Sequence, residues 1–400
     1  MKLTLLLDLD DTLLQNNMET FVPAYLQALS KHLAAKVSPN HLVKHLLQAT
    51  ETMLLNDRPD RTLKQVFDQA FYPALGIDES QLHQEIEEFY QVQFNQLESL
   101  TRPVPGAAEL IREAQARGYE LILATNPLFP LIANLHRLRW AGLAEAIPSF
   151  KLIASYETFH FAKPNPAFFM ELLARNGWRE QGVIMVGNDL ALDILPAKKA
   201  GIQTFFISSD PHHPLSSGGE LKNLLAWIDR VPPAEFQPDF SSIDAVLAIL
   251  KSTPAALPLL CQKLPSEQWN TRFQSSEWCQ TEILCHLRDV EIEVNLPRIR
   301  TALSTLNPFI PGIDTDAWAE QRNYLKQSGE QALNEFIQAR IELLRILQEL
   351  PPKTWAQKVR HALLGPTTIQ ELVGIIASHD RIHIRQIVKN QAISLGTEGE

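Results

Sequence analysis

The chain has 400 residues, 45% of them hydrophobic and 20% charged, which suits two or three globular domains and excludes disordered, collagen-like and coiled-coil chains. Its formal net charge of −10, shared between both halves, excludes the basic footprint of a nucleic-acid binder. Three cysteines cannot build a disulfide framework, the N-terminal apolar run is too short for a leader, and no stretch reads as ~20 apolar residues. The expectation is a cytoplasmic protein with neither a membrane nor a nucleic-acid partner.

In chain order, Leu3–Leu7 reads as a buried strand that ends in Asp8-Leu9-Asp10-Asp11-Thr12. Helical periodicity follows from about residue 15 to 99, as in Phe21, Tyr25, Leu29 and Leu33, with breaks at Pro39, Pro59 and Gly76. An α/β alternation resumes after Pro103-Val104-Pro105-Gly106, with strands expected at 119–124, 150–155, 183–186 and 204–207. Residues 210–219 read as a loop and 221–230 as a closing helix. The proline-rich stretch 231–242 is the best linker. Beyond it come only helical patterns, at 243–251, 281–300, 329–350 and 368–391, with Asn307–Gly312 as a loop. The expected fold class is therefore an α/β doubly wound parallel sheet with a helical cap insertion, followed by an all-α four-helix bundle. The domain bounds are 1–230 (core 1–14 and 100–230, cap about 15–99), linker 231–242 and bundle 243–400.

Chemistry in a doubly wound sheet collects at the carboxyl ends of the strands, where the marked polar residues fall. Asp8 can attack phosphorus if a divalent cation offsets its charge, and Asp10 can protonate the leaving oxygen and later deprotonate water. Thr125 offers a hydroxyl to a phosphoryl oxygen, Lys163 a positive charge, and Asp189 and Asp193 further carboxylates. Thr12 and Asn126 are candidate substrate-binding residues. Single aspartates at strand ends are usually turns and helix caps; four such elements in one order favour catalysis.

These residues resemble the haloacid dehalogenase superfamily, whose four motifs match as Asp8-Leu9-Asp10-Asp11-Thr12, Thr125, Lys163-Pro164, and Gly187-Asn188-Asp189 with Asp193. The resemblance covers residues 1–230 and implies a cap that closes over small substrates. It implies Asp8 as the nucleophile forming an aspartyl-phosphate, Asp10 as general acid/base, and Thr125 and Lys163 as stabilisers of the phosphoryl oxygens. Mg²⁺ would be held by Asp8, the Asp10 carbonyl and a motif-four residue. The position often filled by Asp is Asn188 here, so either Asp189 takes the metal or Asn188 ligates through its amide oxygen. Asp193 is a further metal candidate, or it orients Lys163. Asp10 favours phosphate-ester hydrolysis over dehalogenation.

In the second half, His379 and His383 lie at i and i+4 on one helical face, and His286 lies on another helix. Three imidazoles would leave a metal position open to water, and that ligand type suits Zn, Ni or Fe alike. Histidines of amphipathic helices are more often surface or core residues; His361 and the His212-His213 pair are read so. Residues 243–392 resemble the DinB/YfiT-like four-helix bundles, through Trp278, the run Glu282 to His286, and His379 to His383 followed by Gln386. The resemblance implies a divalent metal on His286, His379 and His383, and a hydrolase or thiol-transferase activity that the sequence does not specify. Cys285 is read as packing. The reading is thus a Mg²⁺-dependent phosphatase of a small phosphorylated metabolite joined to a three-histidine bundle. The alternative is an inactive or dehalogenase-like first half, with the bundle acting as metal-binding or dimerisation module; the expected protein partner is a second copy, in a homodimer through the bundle.

Overall fold

The computed structural model describes residues 2–210, 215, 217–275 and 277–396. They divide into two compact units, one of Met1–Asp57, Arg61–Leu172 and Glu180–Asp239, the other of Arg58–Asp60, Leu173–Arg179 and Phe240–Glu400.

The first unit starts with β1 (Leu3–Leu7), every residue of which is buried, as expected of the centre of a parallel sheet. A tight turn follows, with Asp11 at φ +53°, and leads into β2 (Leu14–Asn16). β2 pairs antiparallel with β3 (Thr101–Pro103), a short ribbon that brackets the helical insertion and that no sequence period announces. Within the insertion lie helices Met18–His32, Pro39–Leu54, Leu63–Leu75 and His83–Glu88. Asn17 caps the first through its side chain, and a Thr62/Gln65 capping box opens the third.

Beyond β3 come β4 (Glu120–Leu123), β5 (Phe150–Ile153), β6 (Gly182–Gly187), β7 (Gln203–Ile207) and β8 (Gly218–Gly219). The six-stranded sheet runs β5-β4-β1-β6-β7-β8, all pairs parallel. The chain therefore crosses to one side of β1 and then to the other, so β1 lies at a topological switch point with β4 and β6 as neighbours. The closing helix is a short turn plus Leu224–Ile228. The proline-rich stretch expected as linker carries a 3₁₀ turn whose Phe236 is fully buried in this unit's core.

The second unit is built on helices Ile243–Cys261, Gln280–Val290, Gly329–Gln348 and Ile369–Ser394. The first runs past the expected stop at residue 251 and contains Pro254 and Pro258. A helical proline leaves the carbonyl four residues back without its donor; here that carbonyl, Leu250 O, accepts from Arg340 Nη1 at 3.2 Å. This helix also corrects the expectation that no segment is long and apolar enough to span a membrane: its mean hydropathy is 1.5, and 67% of that window is buried in the fold, as in a soluble core helix. The helix expected over 281–300 is interrupted by a π-turn at Glu291–Asn295, just before Pro297. A small sheet accompanies the helices: β9 (Phe309–Ile310), in the expected loop, pairs parallel with β10 (Lys358–His361), which pairs antiparallel with β11 (Gly365–Thr368).

Candidate active site and metal centre

Ladder hydrogen bonds bring the ends of the three central strands together: Asp8 N donates to Val186 O at 2.9 Å and Ala124 N to Leu7 O at 2.7 Å. Asp8, Thr125 and Asn188 therefore leave neighbouring carboxyl ends. Lys163 arrives from the segment after β5, fully buried, with its Nζ 2.8 Å from Asp8 Oδ1 and 2.6 Å from Asp193 Oδ1. Asn126 Oδ1 accepts from Lys163 N at 3.1 Å, which anchors that segment and leaves the Asn126 amide group as the only donor of this side chain.

Electrostatics follow from this packing. Burial, followed by the charges of Asp193 and Asp10, pushes the Asp8 carboxyl up to about 7 against the pull of Lys163. Burial alone would lower Lys163, but Asp193 and Asp8 outweigh it and raise the ammonium. Three carboxylates (Asp8, Asp10, Asp193) face two cations (Lys163 and Arg137), so the cluster carries one net negative charge once Asp8 is ionised.

Arg137 is the residue that sequence reasoning missed. It is fully buried, ion-paired to Asp10 through Nη2, and bonded to Asn134 Oδ1 at 3.2 Å. Asn16 Nδ2 also donates to Asp10 Oδ1, at 2.8 Å. The available signal was an Asn and an Arg three apart on the inward face of helix Leu131–Trp140, beside Ala133 and Leu138.

Three of the expected site residues are engaged within the fold. Thr12 is fully buried, its hydroxyl 3.4 Å from Asp8 Oδ2 and 3.2 Å from Asn188 Oδ1. Asp193 holds Lys163 through one oxygen and accepts from Asp189 N at 3.1 Å through the other, the geometry of the expected alternative in which it orients Lys163. A Cβ at Gly187 would lie 2.2 Å from Asp193 Oδ2, which explains glycine at that strand end. Asp189 Oδ1 accepts from Ala191 N at 2.7 Å and Leu192 N at 2.9 Å, the bonding of a helix cap. Asn188, by contrast, turns its amide oxygen to the Thr12 hydroxyl beside Asp8.

In the second unit His286, His379 and His383 converge, with one ligand nitrogen of each within 4.8 Å of the others. His379 Nε2 lies 3.1 Å from His286 Nε2 and 3.0 Å from His383 Nε2. Two nitrogens on a tetrahedral zinc are roughly 3.3 Å apart, and two at a right angle about 2.9 Å, so the spacing fits a shared cation. The Gln386 amide oxygen, 2.7 Å from His383 Nδ1, can only accept, so that nitrogen carries the proton and Nε2 turns its lone pair inward. Burial holds His286 down to about 3 and His383 to about 4, and His379 well below its ordinary value, so all three are neutral, the ligating form. Trp278 lies parallel to His383 at 6.1 Å between ring centroids and walls the cluster. Cys285 is buried and faces Gln327, as packing requires. His361 Nδ1 accepts from Leu363 N at 3.2 Å at the β10–β11 turn, while His212 and His213 lie outside the described residues.

This pairing of a switch-point carboxylate cluster with a three-histidine bundle has a match in known families. Residues 3–201 match the haloacid dehalogenase-like hydrolases and residues 249–387 the DinB superfamily. The first unit is thus similar to the haloacid dehalogenase-like hydrolases and the second to the DinB superfamily. A phosphoglycolate phosphatase of Mesorhizobium japonicum is 35% identical over 102 residues, 26% of this chain and 42% of that protein. A glyceraldehyde 3-phosphate phosphatase of Methanothermobacter thermautotrophicus is 29% identical over 112 residues, 28% of this chain and 47% of that protein. The chain spans less than half the length of these curated relatives. Among solved structures, YfiT from Bacillus subtilis is 18% identical, with 38% of this chain and 87% of that one covered at a TM-score of 0.35.

Proposed function

We propose that the first unit is a Mg²⁺-dependent phosphatase that hydrolyses a small phosphorylated metabolite through an aspartyl-phosphate. The observation that carries this is Lys163, buried between Asp8 and Asp193, opposite an Asp10 held by Arg137 and Asn16. Asp8 attacks phosphorus and the ester P–O bond breaks, while Asp10 gives a proton to the leaving oxygen. Asp10 then takes a proton from the water that attacks the phosphoryl group on Asp8. Lys163 and the Thr125 hydroxyl stabilise the phosphoryl oxygens. The oxygen-rich, net negative cluster suits a hard dication. Asp8, the Asp10 carbonyl and Asn188 would hold it, and it would offset the charge on Asp8 and the phosphoryl group. Relatives named as phosphatases support this reading, as does an Asp10 fixed in place at the site. A screen of phosphate monoesters with and without Mg²⁺ tests it: Mg²⁺-dependent phosphate release is expected, and none from any ester refutes it.

The bundle is proposed to hold one divalent transition metal, zinc, nickel or iron, on His286, His379 and His383, with a remaining position for water or thiol. Elemental analysis of the purified protein checks this.

A further inference from the structure

The insertion walls a partly open cavity of about 170 Å³ that the phosphoryl chemistry does not use. Helices Met18–His32, Pro39–Leu54 and Leu63–Leu75 wall it with residues such as Leu29, Leu46 and Phe71, and Phe129 and Tyr156 close it from the core. An apolar cavity of about 150 Å³ is large enough to take benzene. Two links connect this cavity to the general acid. Met18, in its wall, has its sulfur 3.6 Å from Asn16 Nδ2, which donates to Asp10. Phe129 packs its ring 5.4 Å from the guanidinium of Arg137, the ion-pair partner of Asp10.

The wall offers an anion no cationic side chain. Among the described residues that line the cavity there is no Lys, Arg or His. Its one carboxylate, Asp68, is engaged by Lys64, whose ammonium is also held by Glu79 at 2.7 Å. The hydroxyls of Tyr25 and Tyr90 are bonded to each other at 2.8 Å and stay neutral, burial pushing Tyr25 up to about 12 and Tyr90 well above its ordinary value. A carboxylate or second phosphate placed here would lose its water and gain no cationic partner.

We infer that this cavity receives the leaving group, and that the substrate of the first unit is a phosphate monoester of an uncharged, apolar alcohol of about benzene size. The inference rests on the phosphatase reading above and separates this chain from relatives named for phosphoglycolate and glyceraldehyde 3-phosphate. The competing site for an anionic leaving group is the open groove beside the β2–β3 ribbon, which contains Arg102.

The test compares 2-phenylethyl phosphate, phosphoglycolate and acetyl phosphate on the full chain, and measures binding of 2-phenylethanol separately. Burial of a phenyl group predicts kcat/KM about 100-fold higher for the phenylethyl ester than for phosphoglycolate. Val22 lines the cavity, and Val22→Phe fills it; the ratio of kcat/KM for the phenylethyl ester to acetyl phosphate falls about tenfold, and 2-phenylethanol binding weakens in parallel. Equal or better hydrolysis of phosphoglycolate, abolished by Arg102→Ala, overturns the inference. If no ester is hydrolysed the phosphatase reading fails instead, and saturable 2-phenylethanol binding, weakened by Val22→Phe, still decides for the cavity; no binding decides against it.

Discussion

At the scale of single residues, Asn188 and Asp189 are neighbours with opposite tasks. Charge alone favours Asp189 as a ligand for a hard cation, but its Oδ1 accepts from two backbone N–H groups that fix the side chain as a helix cap, while the Asn188 oxygen lies on the Thr12 hydroxyl beside Asp8. Asn188→Ala is therefore expected to raise the Mg²⁺ concentration for half-maximal phosphate release more than Asp189→Ala does. Asp189→Ala should instead lower stability by about 1 kcal/mol, the usual cost of a lost helix cap. A Mg²⁺ titration and a thermal melt of both variants check the pair. Asp8, Asp10, Thr125 and Lys163 were legible because each follows a strand and carries a reactive group. The direction in which Asn188 and Asp189 point was not, since adjacent residues diverge by a backbone turn that composition does not encode. Arg137 was hidden because a basic residue on an amphipathic helix usually faces water.

At the scale of elements, Arg340 organises the second unit. It is completely buried, and all five of its N–H groups are used: on Glu291 at 2.5 and 3.0 Å, on Asp380 at 2.5 and 3.0 Å, and on Leu250 O at 3.2 Å. It thereby ties the π-turn after the His286 helix to the helix that carries His379 and His383. Arg340→Met strands two buried carboxylates and is expected to cost about 3–5 kcal/mol, whereas replacing Arg340, Glu291 and Asp380 together by matched apolar residues should be nearly neutral. Urea denaturation of the two variants measures the difference. The same arginine explains how the first helix runs past residue 251 through Pro254: the donor that replaces the missing one lies 90 residues from Leu250. Long helices with a clear period were legible, while β2, β3 and β9, of two or three residues each, are too short to show one.

At the scale of the whole molecule, the change from alternating strands and helices to helices alone is legible in the sequence because each architecture has its own period, whereas the grouping of Arg58–Asp60 and Leu173–Arg179 with the second unit is not. The chemistry of each unit is then separately testable. His286→Ala and His383→Ala should each lose most of the bound transition metal, while Cys285→Ser, a packing change, should retain it; elemental analysis of the three variants decides. The most direct test of the central claim is Mg²⁺-dependent phosphate release by the full chain and by Asp8→Asn. The predicted result is a loss of roughly three orders of magnitude or more in a variant that keeps its fold by circular dichroism, because the groups of such a site act as a unit. Near-normal turnover in the folded Asp8→Asn variant would contradict the account.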